Sequence, residues 1–181
     1  MNYIDEDFEL VKKFVDGDES SFNKIVNKYQ KKIYWVARRM SGNHLDADDI
    51  VQDVLITMYK NLKNFQFKSS LFTWIYKVSY TRTLNHLKKR KIKEAFSIED
   101  KNVRTIKENF NILKNLEDKE RLDKVEACLQ QIPPKQREVF IMRNFDELSY
   151  EEISEITGTS VGALKANYFH SVKKLMELMN D

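Results

Sequence analysis

Apolar residues recur every three or four positions along most of the chain, which is the spacing of one face of an α-helix. The pattern predicts a first helix from about Asp5 to Val15, ended by Gly17-Asp18. A long second helix follows, capped by Ser20 or Ser21. Its apolar face carries Phe22, Ile25, Val26, Tyr29, Ile33, Val36, Ala37 and Met40, and Ser41-Gly42-Asn43 stops it. Asp46 caps a third helix whose buried stripe is Ile50, Val51, Val54, Leu55, Met58 and Leu62. After a loop from Asn64 to Ser69, Ser69 or Ser70 opens a fourth helix that runs to about Lys91. The first two helices read as scaffold.

The period fades between about Lys93 and Lys119, where charges of both signs mix with asparagines. So long an irregular stretch is uncommon inside a compact domain and reads as a linker, with a short helix around Glu108 to Leu116. Regular spacing returns near Arg121, with Val125, Leu129 and Ile132 leading to Pro133-Pro134. Pro134 suits the first turn of a helix that carries Val139, Phe140 and Met142. Ser149 and Glu152 have capping-box spacing ahead of Ile153 and Ile156, and Thr157-Gly158-Thr159 closes that helix. Ser160 caps the last helix, striped by Val161, Leu164, Tyr168, Val172 and Leu175. Helix, short Gly-containing turn, helix is the helix-turn-helix pattern. The four Gly and two Pro among 181 residues and the scarcity of alternating β-branched runs agree with an all-α chain. The expected organisation is two small helical domains joined by a flexible linker: 1–92, a linker over 93–119, and 120–181.

Charge changes this picture through its distribution, because the net value is only +3. Lys63 to Lys93 contains no acidic residue, yet it holds Lys63, Lys68, Lys77, Arg82, Lys88, Lys89, Arg90, Lys91 and Lys93. Phe65, Phe67, Phe72, Trp74, Tyr76 and Tyr80 lie between them. Cations neutralise phosphates whatever the sequence, and aromatic faces stack on unpaired bases, so the mixture suits single-stranded or locally opened nucleic acid. A solvated amphipathic helix is the plainer reading of this stretch taken alone. The last helix presents Gly162, Ala163, Lys165, Ala166, Asn167, Phe169 and His170, an uncharged or cationic face that can enter a major groove. Asp46, Asp48, Asp49 and Asp53 invite a metal reading, but an EF-hand begun at Asp46 would place Val51 where Gly is needed and Thr57 where Glu is needed. A face for docking a basic partner fits them better. A single cysteine, Cys128, allows no internal disulfide and no cysteine metal site. No run is apolar enough to span a bilayer and no signal peptide is evident, so a cytoplasmic location is expected. Gly-rich phosphate loops are absent, and His44, His86 and His170 are scattered, so neither an enzyme nor a cofactor is expected.

Two blocks carry a family resemblance. DADDIVQDVLITMYKNLKNF followed by SSLFTWIYKVSYTRTLNHLKKRK resembles domain two of bacterial sigma factors, and LQQIPPKQREVFIMRNFDELSYEEISEITGTSVGALKANYFHSVKKL resembles domain four. Their order, the linker and the missing intermediate domain resemble the extracytoplasmic-function (ECF) sigma factors, over nearly all of Phe22 to Leu175. The resemblance implies a transcription initiation factor that binds bacterial core RNA polymerase, guides it to promoter DNA through −35 and −10 elements and promotes melting. It implies docking of Asp49, Ile50, Gln52 and Asp53 on the polymerase β′ coiled coil. It assigns −10 DNA to Phe65, Gln66, Phe67, Lys68, Ser69 and Ser70, and to Trp74, Lys77, Tyr80, Thr81, Arg82, Lys88, Lys89 and Arg90. The −35 element falls to Ser160, Gly162, Ala163, Lys165, Ala166, Asn167, Phe169 and His170, with the surrounding domain on the β flap. It further implies an anti-sigma factor as partner, one that can hold the protein at the inner membrane, and no small-molecule substrate.

The sequence departs from the family pattern at Ser79-Tyr80-Thr81, where Ala-Arg-Asn is usual, and at Ala166-Asn167 and His170, where Ser-Arg and Arg are usual. The loss of two fixed charges lowers the expected nonspecific affinity near the −35 element and its salt dependence. The rival reading is a stand-alone helix-turn-helix regulator, which leaves the acid-free aromatic stretch unexplained. If the two halves close on each other in the free protein, the basic face is hidden.

Overall fold

The computed structural model describes residues 3–96 and 124–180. The first part holds α1 (Tyr3–Val15), α2 (Glu19–Ser41), α3 (His44–Asn61), a 3-10 turn (Leu62–Asn64) and α4 (Leu71–Phe96). In the second part residues 124–129 are helical (α5), followed by α6 (Pro134–Asn144), α7 (Tyr150–Thr157) and α8 (Val161–Asn180). No strand occurs among the described residues. Residues 93–96 of the expected linker (93–119) continue α4, while 97–119, with the short helix at 108–116, lie outside the described residues.

Local chemistry sets the helix ends. Asp18, rather than Ser20 or Ser21, caps α2: its carboxylate accepts from the Ser20 amide at 3.0 Å and from the hydroxyls of Ser20 and Ser21. A carboxylate also suits the positive end of the helix. Asn43 rather than Asp46 caps α3; its carbonyl oxygen accepts from the Asp46 amide at 2.7 Å, and its amide donates back to the Asp46 carboxylate. Ser70 holds the start of α4 through the Thr73 amide at 3.0 Å, and α4 runs on to Phe96, past the expected end at Lys91. Pro134 opens α6, and both reciprocal bonds of the Ser149–Glu152 capping box are formed at α7.

The first four helices bury one cluster that includes Phe14, Ile25, Ile33, Ile50, Val54, Met58 and Ile75. A second cluster gathers Leu129, Val139, Ile141, Ile153 and Leu164 from the C-terminal helices together with Val36, Met40, Tyr76 and Tyr80 from α2 and α4. Helices α2 and α4 therefore serve both cores, and the two halves pack against each other through α2 with α6 and α4 with α7.

Met58 is completely enclosed. Met58→Ala is expected to cost about 2–5 kcal/mol, as truncation of a buried side chain leaves a cavity; a urea denaturation midpoint indistinguishable from wild type would contradict this packing.

Candidate polymerase and nucleic-acid interfaces

Helical periodicity splits α4 into faces. Trp74, Lys77, Thr81 and Lys88 recur at three- to seven-residue intervals on the outer side, where Lys77, Thr81, Lys88 and Lys89 are exposed and Trp74 is half-buried. Tyr76 and Tyr80 lie on another side, turned into the second core. Tyr80, expected on −10 DNA, is only 8% exposed, and its hydroxyl donates to Glu138 of α6 at 2.5 Å. Tyr76 donates likewise to Asp146 at 2.6 Å. The spacing of Tyr80 from Trp74 places it off the outer stripe, a difference that the composition of the stretch does not reveal. Burial and then the Glu138 bond push the Tyr80 phenol well above its ordinary value, so it stays a donor.

Arg90 also differs from expectation. Its guanidinium donates to Asp46 and to the Ser41 carbonyl, and His86 Nε2 lies 2.9 Å from the other Asp46 oxygen. Burial alone would raise the Asp46 carboxyl, but the bonds from His86, Asn43 and Arg90 outweigh it and the net shift is downward. Arg90 thereby ties the basic end of α4 to the α2–α3 turn, leaving Lys77, Arg82, Lys88 and Lys89 as the more available cations.

Ahead of α4, the loop of residues 65–70 builds an aromatic ladder. Phe65 packs at a tilt on Trp74 (centroids 5.5 Å apart) and edge-on against Phe67 (4.8 Å), and Phe67 meets Phe8 of α1 at 4.7 Å. Phe67 adopts φ 53°, a left-handed conformation that is uncommon for a bulky residue. Gln66 and Lys68 are exposed beside it, and Ser69 and Ser70 line a cavity of about 340 Å³ with Phe65, Phe67, Phe72, Tyr29 and Asp7. Nothing in the spacing of α1 signals that it reaches this loop.

On α3, Asp49, Gln52 and Asp53 form an exposed stripe, but Ile50 does not join them: it is 0% exposed and faces the core with Val54 and Met58. One residue along a helix turns the side chain by about 100°. The apolar member of the stripe is Ile56, which is 52% exposed and which sequence reasoning missed, although i+3 and i+7 spacing from Asp53 and Asp49 would have found it. On α8 the expected face is open: Gly162, Ala163, Lys165, Ala166, Phe169 and His170 are exposed, Asn167 is half-buried, and Ser160 accepts from the Ala163 amide at 3.4 Å. Leu164, Ser171 and Leu175 point inward. Among the described residues no group of three His, Cys, Asp or Glu side chains is placed to hold a metal ion.

Contacts between the halves gather at the end of α2. Gln130 donates to the Arg39 carbonyl at 3.0 Å, Arg137 donates to the Met40 carbonyl at 3.3 Å and to Gln130, and the Arg39 guanidinium lies 4.1 Å from the centre of the Phe145 ring. Burial raises the carboxyls of Glu138 and Asp146; the Tyr80 bond and Lys135 counter this at Glu138, and the Tyr76 bond, Arg39 and Lys32 counter it at Asp146. A raised carboxyl binds its proton more tightly docked than apart. Docking is thus strongest below the ordinary carboxyl range and loses this contribution as pH rises through the raised values. Energy transfer between dyes placed at exposed Leu45 and Met176 should report a docked population that grows as pH falls through the raised carboxyl values toward the ordinary carboxyl range. Glu138→Gln with Asp146→Asn should flatten the profile; an unchanged profile would remove these carboxyls as its source.

Comparison with known proteins adds the remaining observation. The family model described as Sigma-70 region 2 matches residues 25–92, and that described as Sigma-70, region 4 matches residues 122–175. The RNA polymerase sigma-H factor of Pseudomonas aeruginosa is 30% identical over 174 residues, covering 92% of this chain and 90% of that protein. The ECF RNA polymerase sigma factor SigW of Bacillus subtilis is 27% identical over 178 residues, covering 94% of this chain and 95% of that protein. Among solved structures, the sigma factor RpoE in complex with the anti-sigma factor NepR from Bartonella quintana superposes with a TM-score of 0.74 at 21% identity, covering 88% of this chain and 96% of that one. CnrH, solved with the cytosolic domain of CnrY, superposes with a TM-score of 0.70 at 18% identity over 97% of both chains.

Proposed function

The chain belongs to the sigma-70 family, in its extracytoplasmic-function branch, and we propose that it binds core RNA polymerase, directs it to specific promoters through −35 and −10 elements and promotes melting. The observation that carries this reading is the pairing, in one chain and in the family order, of a basic aromatic loop and helix with an open helix-turn-helix face. Sigma factors are initiation factors, and the polymerase performs the chemistry.

The residue assignments are our reading of the geometry. The exposed stripe of Asp49, Gln52, Asp53 and Ile56 docks on a basic surface of the polymerase. The loop of residues 65–70 holds an extruded base of the opened strand, which offsets part of the cost of unstacking it. Lys77, Thr81, Arg82, Lys88 and Lys89 follow the strand's phosphates, and Trp74 backs the loop. The exposed side of α8 enters the major groove of the −35 element, with Lys165 and Asn167 as the donors suited to base edges. Binding two elements at once raises the effective concentration of the melting half at its target. We divide the chain functionally into 1–92, a linker over 93–119, and 120–181. An anti-sigma factor is the proposed regulatory partner, and the cytoplasm the proposed location. No described helix is long and apolar enough to cross a membrane.

The docked halves bury Tyr76 and Tyr80 and set α6 and α7 beside the basic helix, so engagement of two promoter elements calls for their separation. Hydrogen exchange over Lys68 to Lys91 should change when core polymerase is added; identical protection with and without it would argue against separation.

Abortive transcription with core polymerase on a pool of genomic promoters tests the function itself. Wild-type protein is expected to give defined start sites, and the Lys77→Ala/Arg82→Ala/Lys88→Ala variant to lose most initiation, increasingly so with salt. Duplex binding without polymerase, and no start-site selection with it, would favour a stand-alone regulator.

A further inference from the structure

The cavity beside the loop of residues 65–70 has a wall from an unexpected source. Phe8 and Asp7 of α1 line it together with Phe65, Phe67, Ser69 and Ser70. Phe8 and Phe67 stand at its rim, each nearly half exposed, with ring centres 4.7 Å apart. Two large aromatic rings nearly half exposed beside a cavity form a stacking surface, and an unpaired base supplies the complementary π-face. Lys68 is exposed on the loop, and Lys32 lies 4.7 Å from the centre of the Phe72 ring at the cavity wall, so cations are present for the phosphates that accompany a base.

Within this aromatic surround Asp7 supplies a carboxylate paired with Lys28. Its side chain is almost wholly buried (residue exposure 9%), with one oxygen accepting from Lys28 Nζ at 2.6 Å and the other from the Tyr29 hydroxyl at 2.5 Å. Those two donors fix the carboxylate in place. Each oxygen still has a second lone pair, and an ionised carboxylate can only accept. The cavity therefore discriminates by hydrogen-bond polarity. A base edge with a projecting amino group can donate to Asp7, whereas thymine offers only its ring N3–H, flanked on both sides by carbonyl oxygens that would face the carboxylate acceptor against acceptor. The hydroxyls of Ser69 and Ser70 can donate or accept and add no bias of their own.

We propose that α1 is a specificity element: Asp7 selects an extruded base that carries an exocyclic amine against thymine, and Phe8 stacks on that base with Phe67. The proposal rests on the reading of the 65–70 loop as a holder of opened promoter strand. It assigns Asp7 and Phe8 opposite signatures. Loss of the carboxylate relaxes the choice of base, while loss of the ring weakens capture of every base.

The test uses the full-length protein reconstituted with core polymerase, on a promoter found by start-site mapping, with each non-template −10 position randomised in turn. Wild type is expected to favour amino-bearing bases over thymine roughly tenfold at one position, the scale of one good base contact. Asp7→Asn, whose amide also donates, should bring that ratio close to one while leaving the start site and the other positions unchanged. Phe8→Ala should lower initiation severalfold for all four bases with the ratio preserved. Lys28→Gln loosens α1 from α2 without removing the carboxylate and should retain the wild-type ratio, which separates reading of the base from support of the helix. Wild-type ratios in Asp7→Asn, or equal relaxation in Lys28→Gln, would overturn the proposal while leaving promoter direction intact. A wild-type protein that selects no start site would overturn both readings.

Discussion

The last turn of α2 holds the molecule together. A helix end leaves carbonyls without intrahelical donors and concentrates partial negative charge there. Here three successive carbonyls take their donors from distant parts of the chain: Arg39 from Gln130, Met40 from Arg137 and Ser41 from Arg90. Gly42 makes the arrangement sterically possible. It ends the helix at φ 84°, donating its amide to the Arg38 carbonyl, and a side chain at this position would sit 2.7 Å from Gln130. A helix terminus that would otherwise be solvated thus becomes the joint at which α4 and both halves meet.

That joint has a chemical character of its own. Among the described residues Arg38, Arg39 and Arg137 each keep a buried Nε atom with no hydrogen-bond acceptor, and burial followed by the charge of Arg90 lowers the affinity of Arg137 for its proton. The acceptors of Arg137 are the neutral oxygens of Met40 and Gln130, and buried charge paired this way repays only part of its desolvation. The two tyrosine–carboxylate bonds work against similar desolvation. Apolar packing around Leu129 and Met142 favours docking, while the desolvated polar perimeter opposes it. This balance suits the separation proposed above.

Much of the fold was legible in the sequence because it is governed by local rules. The Ser149–Glu152 box, Pro134 at the start of α6 and the inward stripe of α8 depend on neighbours three or four residues away. The missed features depend on distance. Asp18 outcompetes Ser20 as a cap because it accepts from both serines at once. Tyr80 reads as one more aromatic in a basic helix until Glu138, 58 residues onward, is placed beside it. The apolar stripe puts Ile50 in the core, where it lies, whereas the family motif groups it with Asp49 and Gln52, from which the helix turns it away. Asp7 and Phe8 carried no signal, since their neighbours Tyr29 and Phe67 belong to other elements. The exposed set on α8 was legible as a face, because a helix packed on one side leaves the other open.

The division between the two cores also bears on the order in which the protein forms. Every buried member of the first cluster lies between Val11 and Ile75, so a nascent chain that has just passed α4 can already close that core. The second cluster needs Val36, Met40, Tyr76 and Tyr80 to wait for Cys128 and everything after it. Vectorial synthesis generally lets early units fold first, and contacts between distant residues form late. The N-terminal half thus spends part of its birth with its tyrosine face uncovered, and emergence of the C-terminal helices gives that face its cover.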